Sequence, residues 1–172
     1  MMEMEFVISR DDIEMRVREL GKEITKDFHG SKLVVIGILN GAFMFLADLV
    51  REIDLPLEVD FLRAASYGTG RSSSGEIKIT KDVELSIYDK EILIVEDLID
   101  TGLTLATIKE NLESRTSKSV RTCALIDKTE RREIDFKADY LGFEIKNGFL
   151  VGYGLDYAEK YRQYRDVYCL RM

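Results

Sequence analysis

The apolar positions of this chain fall into alternating helical and strand periods. Residues 9–29 carry Ile13, Val17, Leu20, Ile24 and Phe28 at three- and four-residue spacings, the stripe of an amphipathic helix. Ser9 with Asp12 three places on gives that helix a capping pattern, and Gly30 marks its end. Residues 33–38 are continuously apolar, as a short strand covered on both faces requires, and Leu39-Asn40-Gly41 is a turn. Helical character returns over 42–53, Pro56 stops it, and 57–65 alternate as a strand with Leu57, Val59 and Phe61 on one face. A first βαβ unit closes there. Residues 66–75 (Ser-Tyr-Gly-Thr-Gly-Arg-Ser-Ser-Ser-Gly) are small, polar and glycine-rich, which predicts a mobile loop, with 76–80 and 83–87 as short strands of a flap. Long loops of this kind in compact domains often act as lids. Strand 92–95, helix 103–112 and strand 119–126 form the central unit, and strands 140–145, 149–154 and 166–170 follow, with an Asn147-Gly148 turn between the first two. The alternation predicts an α/β fold: a central, mostly parallel twisted sheet flanked by helices, with a small hood or flap and a mobile loop. No repeat or linker interrupts it, so residues 1–172 are expected to form one domain.

Composition narrows the partners. A chain of 172 residues with 45% hydrophobic content can bury one sizeable core. Its 32 acidic and 25 basic residues leave a net charge of −7, which disfavours nucleic acid and anionic membranes and leaves small molecules as the expected ligands. The first ten residues lack the apolar run of a signal peptide, and no stretch approaches the roughly 18 apolar residues of a membrane span, so a cytoplasmic protein is expected. Cys123 lies in an apolar run and Cys169 near the carboxyl end, without CxxC spacing, and both read as inert thiols. His29 is the only histidine, which excludes an HExxH zinc site and a Ser-His-Asp triad. Gly70-x-x-x-x-Gly75 imitates a P-loop, but Glu76 stands where the lysine must be; Gly152-Tyr153-Gly154 lacks the third glycine of a dinucleotide fingerprint and reads as a turn.

The candidate chemistry is concentrated in Ile92-Leu-Ile-Val-Glu-Asp-Leu-Ile-Asp-Thr-Gly-Leu-Thr104. In a strand-loop-helix unit the loop lies at the carboxyl edge of the sheet, where open α/β folds bind ligands, and the helix start presents N–H groups to an anion. Taken singly, Glu96, Asp97 and Asp100 are ordinary solvated acids near a helix start. Together, two adjacent carboxylates after a buried run can accept hydrogen bonds from a vicinal diol or meet a hydrated divalent cation. Thr101, Gly102 and Thr104 supply hydroxyls and an approachable backbone for a phosphate. Acids and anion cradle together imply a ribose phosphate, with Asp100 between them in place to handle a proton near the anomeric carbon.

The segment Val95-Glu-Asp-Leu-Ile-Asp-Thr-Gly-Leu-Thr104 resembles the phosphoribosyl-pyrophosphate signature of the type I phosphoribosyltransferases, and its Glu-Asp-x-x-Asp-Thr-Gly form resembles the hypoxanthine-guanine branch. The likeness runs from about Leu33 to Leu170 through Leu39-Asn40-Gly41, Val59-Asp60-Phe61, Ser66-Tyr67, Asp127-Lys128, Gly142-Phe143-Glu144 and Val151-Gly152-Tyr153-Gly154-Leu155-Asp156. The resemblance implies transfer of a 5-phosphoribosyl group to N9 of a 6-oxopurine with magnesium as cofactor. By position, Glu96 and Asp97 would hold the ribose hydroxyls, directly and through magnesium. Asp100 would be the general acid/base, and Asp100, Thr101, Gly102, Leu103 and Thr104 would wrap the 5′-phosphate. Lys128 would donate to the purine O6, Phe149 would stack on the base, and Leu150 would offer backbone groups to its edge. Asp156 would bind a second magnesium, Arg162 the pyrophosphate, and Ser66-Tyr67 would lead the closing loop. A homodimer or homotetramer is implied as well.

The family often has Lys where this chain has Asn40, in a turn that binds pyrophosphate through its backbone and often contains a cis peptide. Asn40-Gly41 is therefore expected to be cis in at least one state, with Arg132 or Arg162 making up the missing charge. Two alternatives stay open: a xanthine-preferring transferase, and a non-catalytic module that senses phosphoribosyl pyrophosphate. Asp100 and Lys128 favour turnover, because a sensor needs neither proton transfer nor base selection.

Overall fold

The computed structural model describes residues 3–67, 76–116 and 118–171, with the backbone alone at Ser66, Tyr67 and Glu76. The expected lid and the Gly70-x-x-x-x-Gly75 stretch lie outside the described residues from position 68 to 75, as do the Ser66 and Tyr67 side chains.

The chain runs β1 (Glu3–Ile8), α1 (Arg10–Asp27), β2 (Leu33–Leu39), α2 (Phe43–Glu52), β3 (Leu57–Tyr67), β4 (Glu76–Lys81), β5 (Glu91–Ile99), α3 (Leu103–Glu113), β6 (Val120–Lys128), β7 (Tyr140–Ile145), β8 (Phe149–Val151) and β9 (Val167–Arg171). Six strands form the main sheet in the order β4-β3-β2-β5-β6-β7, parallel except for β4 at one edge. The second sheet, β1-β9-β8, is antiparallel and joins the two ends of the described chain.

α1 forms as its stripe predicts. Ile13, Val17, Leu20, Ile24 and Phe28 are each at most 2% exposed, and the Ser9 hydroxyl accepts from Asp12 N–H at 3.0 Å to cap the first turn. α1 and α2 pack on one face of the sheet, against Leu33, Val35, Leu93 and Val95. α3 packs on the other, against Val34, Ile36, Ile92 and Ile94. Burial on both faces is the reason these strands read as continuous apolar runs. Cys123 is buried, which pushes its thiol well above the usual range and keeps it unreactive. Among the described residues no helix is long and apolar enough to cross a membrane.

From β2 the chain winds outward to β3 and β4; from β5 it winds the other way to β6 and β7. The direction of winding therefore reverses between β2 and β5, with α2 and α3 on opposite faces. Such a reversal leaves a crevice at the carboxyl ends of the two strands.

Several elements differ from expectation. β1 was not foreseen: its residues are mostly exposed, so no buried run marks it, and pairing with β9 makes it a strand. The second sheet is consequently built from the termini and β8, while β4 simply extends the main sheet. Residues 83–87 form no strand, because Glu84 and Leu85 donate their N–H groups to Asp60 Oδ2 at 2.6 and 2.9 Å instead of to a ladder. Val59 is 39% exposed while Asp60 and Leu62 are buried, so the inward face of β3 is not fully the expected one. β8 stops at Val151, since Gly152, Tyr153 and Gly154 take positive φ and turn the chain.

Asp60 thus fastens the 82–87 segment to β3. Burial opposes its ionisation, but N–H donors from Leu85, Phe61 and Glu84, with the nearby Lys81 charge, hold its carboxyl below the usual range. A depressed carboxyl stabilises the fold above its unfolded pKa and loses that contribution as pH falls through the folded value. Asp60→Asn is expected to cost about 1–3 kcal/mol at neutral pH. In urea unfolding, the gap to the parent should be full at about pH 7 and narrow below about pH 4.

Candidate functional site

β5 does not end before its acids. It runs on to Ile99, so Glu96 and Asp97 lie within the strand. Its pairing with β2 ends at Gly37–Val95, whereas pairing with β6 continues through Glu96–Ala124, Leu98–Ile126 and Ile99–Asp127. The acids therefore stand where β2 turns away, fixed to a rigid strand on one side and facing the crevice on the other.

The β2–α2 turn closes on them. The Leu39–Asn40 peptide is cis. The cis bond thus lies one residue earlier than the expected Asn40-Gly41 bond. Gly41 is seated so tightly against Asp97 that a Cβ would overlap the Asp97 carboxylate, and the Gly41 carbonyl packs against Gly154. Glycine is required here because the backbone itself is the contacting surface. Asn40 is exposed, and its carbonyl accepts from Phe43 N–H at 3.4 Å.

Glu96 is 9% exposed and accepts a hydrogen bond from Asp97 N–H at 3.1 Å. Burial, followed by the neighbouring Asp97 carboxylate, pushes the Glu96 carboxyl well above the usual range. A cation or a set of hydroxyl donors at this point would favour the ionised form.

Beyond the strand, residues 100–102 make the turn into α3. Gly102, at φ 89°, is the residue before the helix, where a Cβ would crowd Ile134 and Phe136 at 3.1 and 3.2 Å. No side chain caps α3 and no acid occupies its first turn, although the Thr101 hydroxyl accepts from Leu103 N–H at 3.3 Å. An acid-free helix start is suited to an anion. Glu96, Asp100, Thr101, Gly102 and Thr104 line a cleft of about 140 Å³ here.

Asp100 meets three cationic side chains, one from the end of β6 and two from the segment after it. Its Oδ1 is buried without a hydrogen bond among the described residues, 3.5 Å from Lys128 Nζ; its Oδ2 pairs with Arg131 at 3.1 Å; its carbonyl accepts from Arg132 Nε at 3.3 Å. Lys128, 7% exposed at the end of β6, donates to the Gly148 carbonyl at 3.3 Å. An ammonium has three N–H donors, and among the described residues this one makes a single hydrogen bond. Gly148 leads directly into Phe149, whose half-buried ring meets Tyr157 edge-on at 5.5 Å. Leu150 is 5% exposed, its side chain in the core and its backbone paired with Cys169.

Asp156 stands apart from Glu96 and Asp97. It pairs with Arg162 at 2.9 Å and accepts from Glu159 N–H at 2.9 Å. Among the described residues no three acids, histidines or cysteines come together as a metal cage. Arg162 also donates to the Gly154 carbonyl at 2.7 Å and pairs with Glu159. Arg132 reaches Asp127, the Asp100 carbonyl and, at 2.5 Å, the Phe136 carbonyl. Arg132 and Arg162 thus both hold loops in place. The Asp97–Gly41–Gly154–Arg162–Asp156 contacts nevertheless join the second cluster to the first.

Sequence reasoning missed Arg131 and Tyr157. Arg131 had a signal: it follows the last residue of a buried parallel strand by three places, at the sheet edge where ligands bind.

Comparison with known proteins fits this geometry. The model of the phosphoribosyl transferase domain matches residues 9–158. The chain belongs to this family. It is 48% identical over 160 residues to the hypoxanthine phosphoribosyltransferase of Salmonella typhimurium, covering 92% of this chain and 90% of that one. It is 47% identical over 166 residues to the hypoxanthine-guanine phosphoribosyltransferase of Aquifex aeolicus, covering 96% and 93%. The crystal structure of a hypoxanthine phosphoribosyltransferase from Staphylococcus aureus superposes with a TM-score of 0.93 at 44% identity, covering 97% of this chain and 91% of that one. The type I phosphoribosyltransferase fold, with its central, mostly parallel sheet between helices, is therefore the fold of this chain.

Asp127 and Arg132 are both largely buried and tie the 129–136 segment over the turn before α3, where Glu133 and Ile134 donate to the Thr101 carbonyl at 3.0 and 3.4 Å. Removing the cation leaves a buried carboxylate unpaired. Arg132→Met is expected to lower stability by about 2–4 kcal/mol in urea unfolding.

Proposed function

We propose that this phosphoribosyltransferase moves the 5-phosphoribosyl group of phosphoribosyl pyrophosphate to N9 of hypoxanthine or guanine, as a purine-salvage reaction. The C1′–O bond to pyrophosphate breaks, the C1′–N9 bond forms, and a proton leaves the base. The observation that carries the reading is the placement of Lys128, whose buried amine lies between the Asp100 carboxylate and the Gly148 carbonyl. It joins the turn before α3 to the segment that carries Phe149.

In this reading Thr101 to Thr104 receive the 5′-phosphate with hydroxyl and N–H donors, and Glu96 and Asp97 accept from the ribose hydroxyls. The backbone of Asn40 and Gly41 faces the pyrophosphate, with Ser66 and Tyr67 leading the segment that covers it. Lys128 uses its remaining N–H donors on the exocyclic oxygen of the base, which an amino group could not accept. Phe149 stacks on the ring, and Leu150 offers backbone groups at its edge. Asp100 takes the base proton, having an oxygen that reaches the cleft.

Magnesium suits the donor set. The ion keeps several waters and is commonly bound by one or two carboxylates plus substrate oxygens, rather than by an all-protein cage. Glu96 and Asp97 would hold one such ion with the ribose, and Asp156, beside Arg162, a second. When bound, magnesium would offset the charge developing on the departing pyrophosphate. The reading carries with it a cytoplasmic location, one domain over residues 1–172, small-molecule substrates, and a homodimer or homotetramer.

Nucleotide formation from phosphoribosyl pyrophosphate, magnesium and each of hypoxanthine, guanine, xanthine and adenine tests this directly. Product is expected with the first two, and its absence with every base defeats the reading. Asp100→Asn should lower turnover by about 10²-fold to 10⁴-fold with phosphoribosyl pyrophosphate binding largely retained. Lys128→Ala should weaken use of the 6-oxopurines selectively; an equal loss for every base would remove it from base selection.

A further inference from the structure

The two oxygens of the Asp100 carboxylate are held differently. Oδ1 is buried and accepts no hydrogen bond among the described residues, with Lys128 Nζ at 3.5 Å. Oδ2 is held by Arg131 at 3.1 Å. The two partners differ in kind. The Lys128 side chain is 9% exposed and fixed at the end of β6, whereas that of Arg131 is 67% exposed. Arg132, by contrast, is anchored at both ends of its guanidinium, so the backbone beside Arg131 is fixed while its own side chain reaches Asp100 from the solvent side.

We propose that Arg131 is a positioning residue that occupies the ligand-facing oxygen of Asp100 in the free enzyme and must release it when the purine base binds. The inference rests on the reading of Asp100 as the group that meets the base. A base N–H and the Arg131 guanidinium are both donors, and they converge on the same carboxylate oxygen. An ion pair with one long, solvent-exposed partner is weak, so it can hold the carboxylate turned outward and still yield to a ligand. Arg131 therefore keeps Asp100 oriented before binding and competes with the base for it.

Steady-state kinetics of the full chain with magnesium, phosphoribosyl pyrophosphate and hypoxanthine test this. Arg131→Ala is expected to lower KM for hypoxanthine by about two- to fivefold, the effect of losing one exposed pair. The gain should appear in kcat/KM, with no matching change in KM for phosphoribosyl pyrophosphate. Arg131→Lys should restore the parental KM. Added salt should lower KM for hypoxanthine in the parent and not in Arg131→Ala, because it screens the pair. An unchanged or higher KM for hypoxanthine in Arg131→Ala, or an equal shift for both substrates, overturns the proposal. If the parent turns hypoxanthine over and the variant matches it, the transferase reading stands and the role of Arg131 falls. If the parent forms no product, both fall.

Discussion

The early parting of β2 and β5 is the constraint on which the rest of the molecule depends. Two central strands of a sheet that separate before their ends leave backbone groups facing a gap, and such groups must find partners. Here β5 continues from Glu96 to Ile99 on β6 alone, so the acids keep the rigidity of a strand while losing a neighbour on one side. The gap is filled by turns: Gly41 against Asp97, Gly154 against Gly41, and the 129–136 segment over Thr101. Each of these contacts depends on where the two strands diverge. The reversal of winding between β2 and β5 puts that divergence in the middle of the sheet, with helices on opposite faces to stiffen it.

Charge is arranged around the gap in pre-formed pairs. In a chain of net charge −7, cations are concentrated at one sheet edge and each is balanced by an acid. The pairs are graded by exposure. Arg132 with Asp127 is nearly buried, so it belongs to the fold; Arg162 with Asp156 is intermediate; Arg131 with Asp100 has its cation in solvent. Buried pairs are costly to break and exposed ones are not. The same residue chemistry thus gives both fixed architecture and replaceable contacts, and burial decides which is which.

Most of the main sheet was legible because burial on both faces writes itself as an uninterrupted apolar run, as in 33–38 and 92–95, and because the α1 stripe has one clear period. The acidic segment was legible for a different reason: two adjacent carboxylates directly after a buried apolar run, followed by a Thr-Gly helix start, stand out from the sequence around them. What stayed hidden was pairing that burial does not mark. β1 is exposed and exists through β9, and the 83–87 segment alternates like a strand but gives its N–H groups to Asp60. The position of the cis peptide and the true partners of Arg132 and Arg162 were equally out of reach, since each depends on contacts between segments distant in sequence.

Those partners bear on the missing charge at position 40. Asn40 is exposed and neutral, and the two arginines that could have stood in for a lysine are engaged with Asp127, Asp156 and three backbone carbonyls. On the transferase reading, a pyrophosphate approaching this turn meets backbone dipoles rather than a side-chain cation. Backbone donors orient an anion without neutralising it, so the balance of charge has to arrive with the substrate, as the divalent ion it carries. Asp97 and Asp156 are joined through contacts of Gly41, Gly154 and Arg162. On that reading the carboxylates would carry the ion, and the tight packing of Gly41 against Asp97 holds one of them in place.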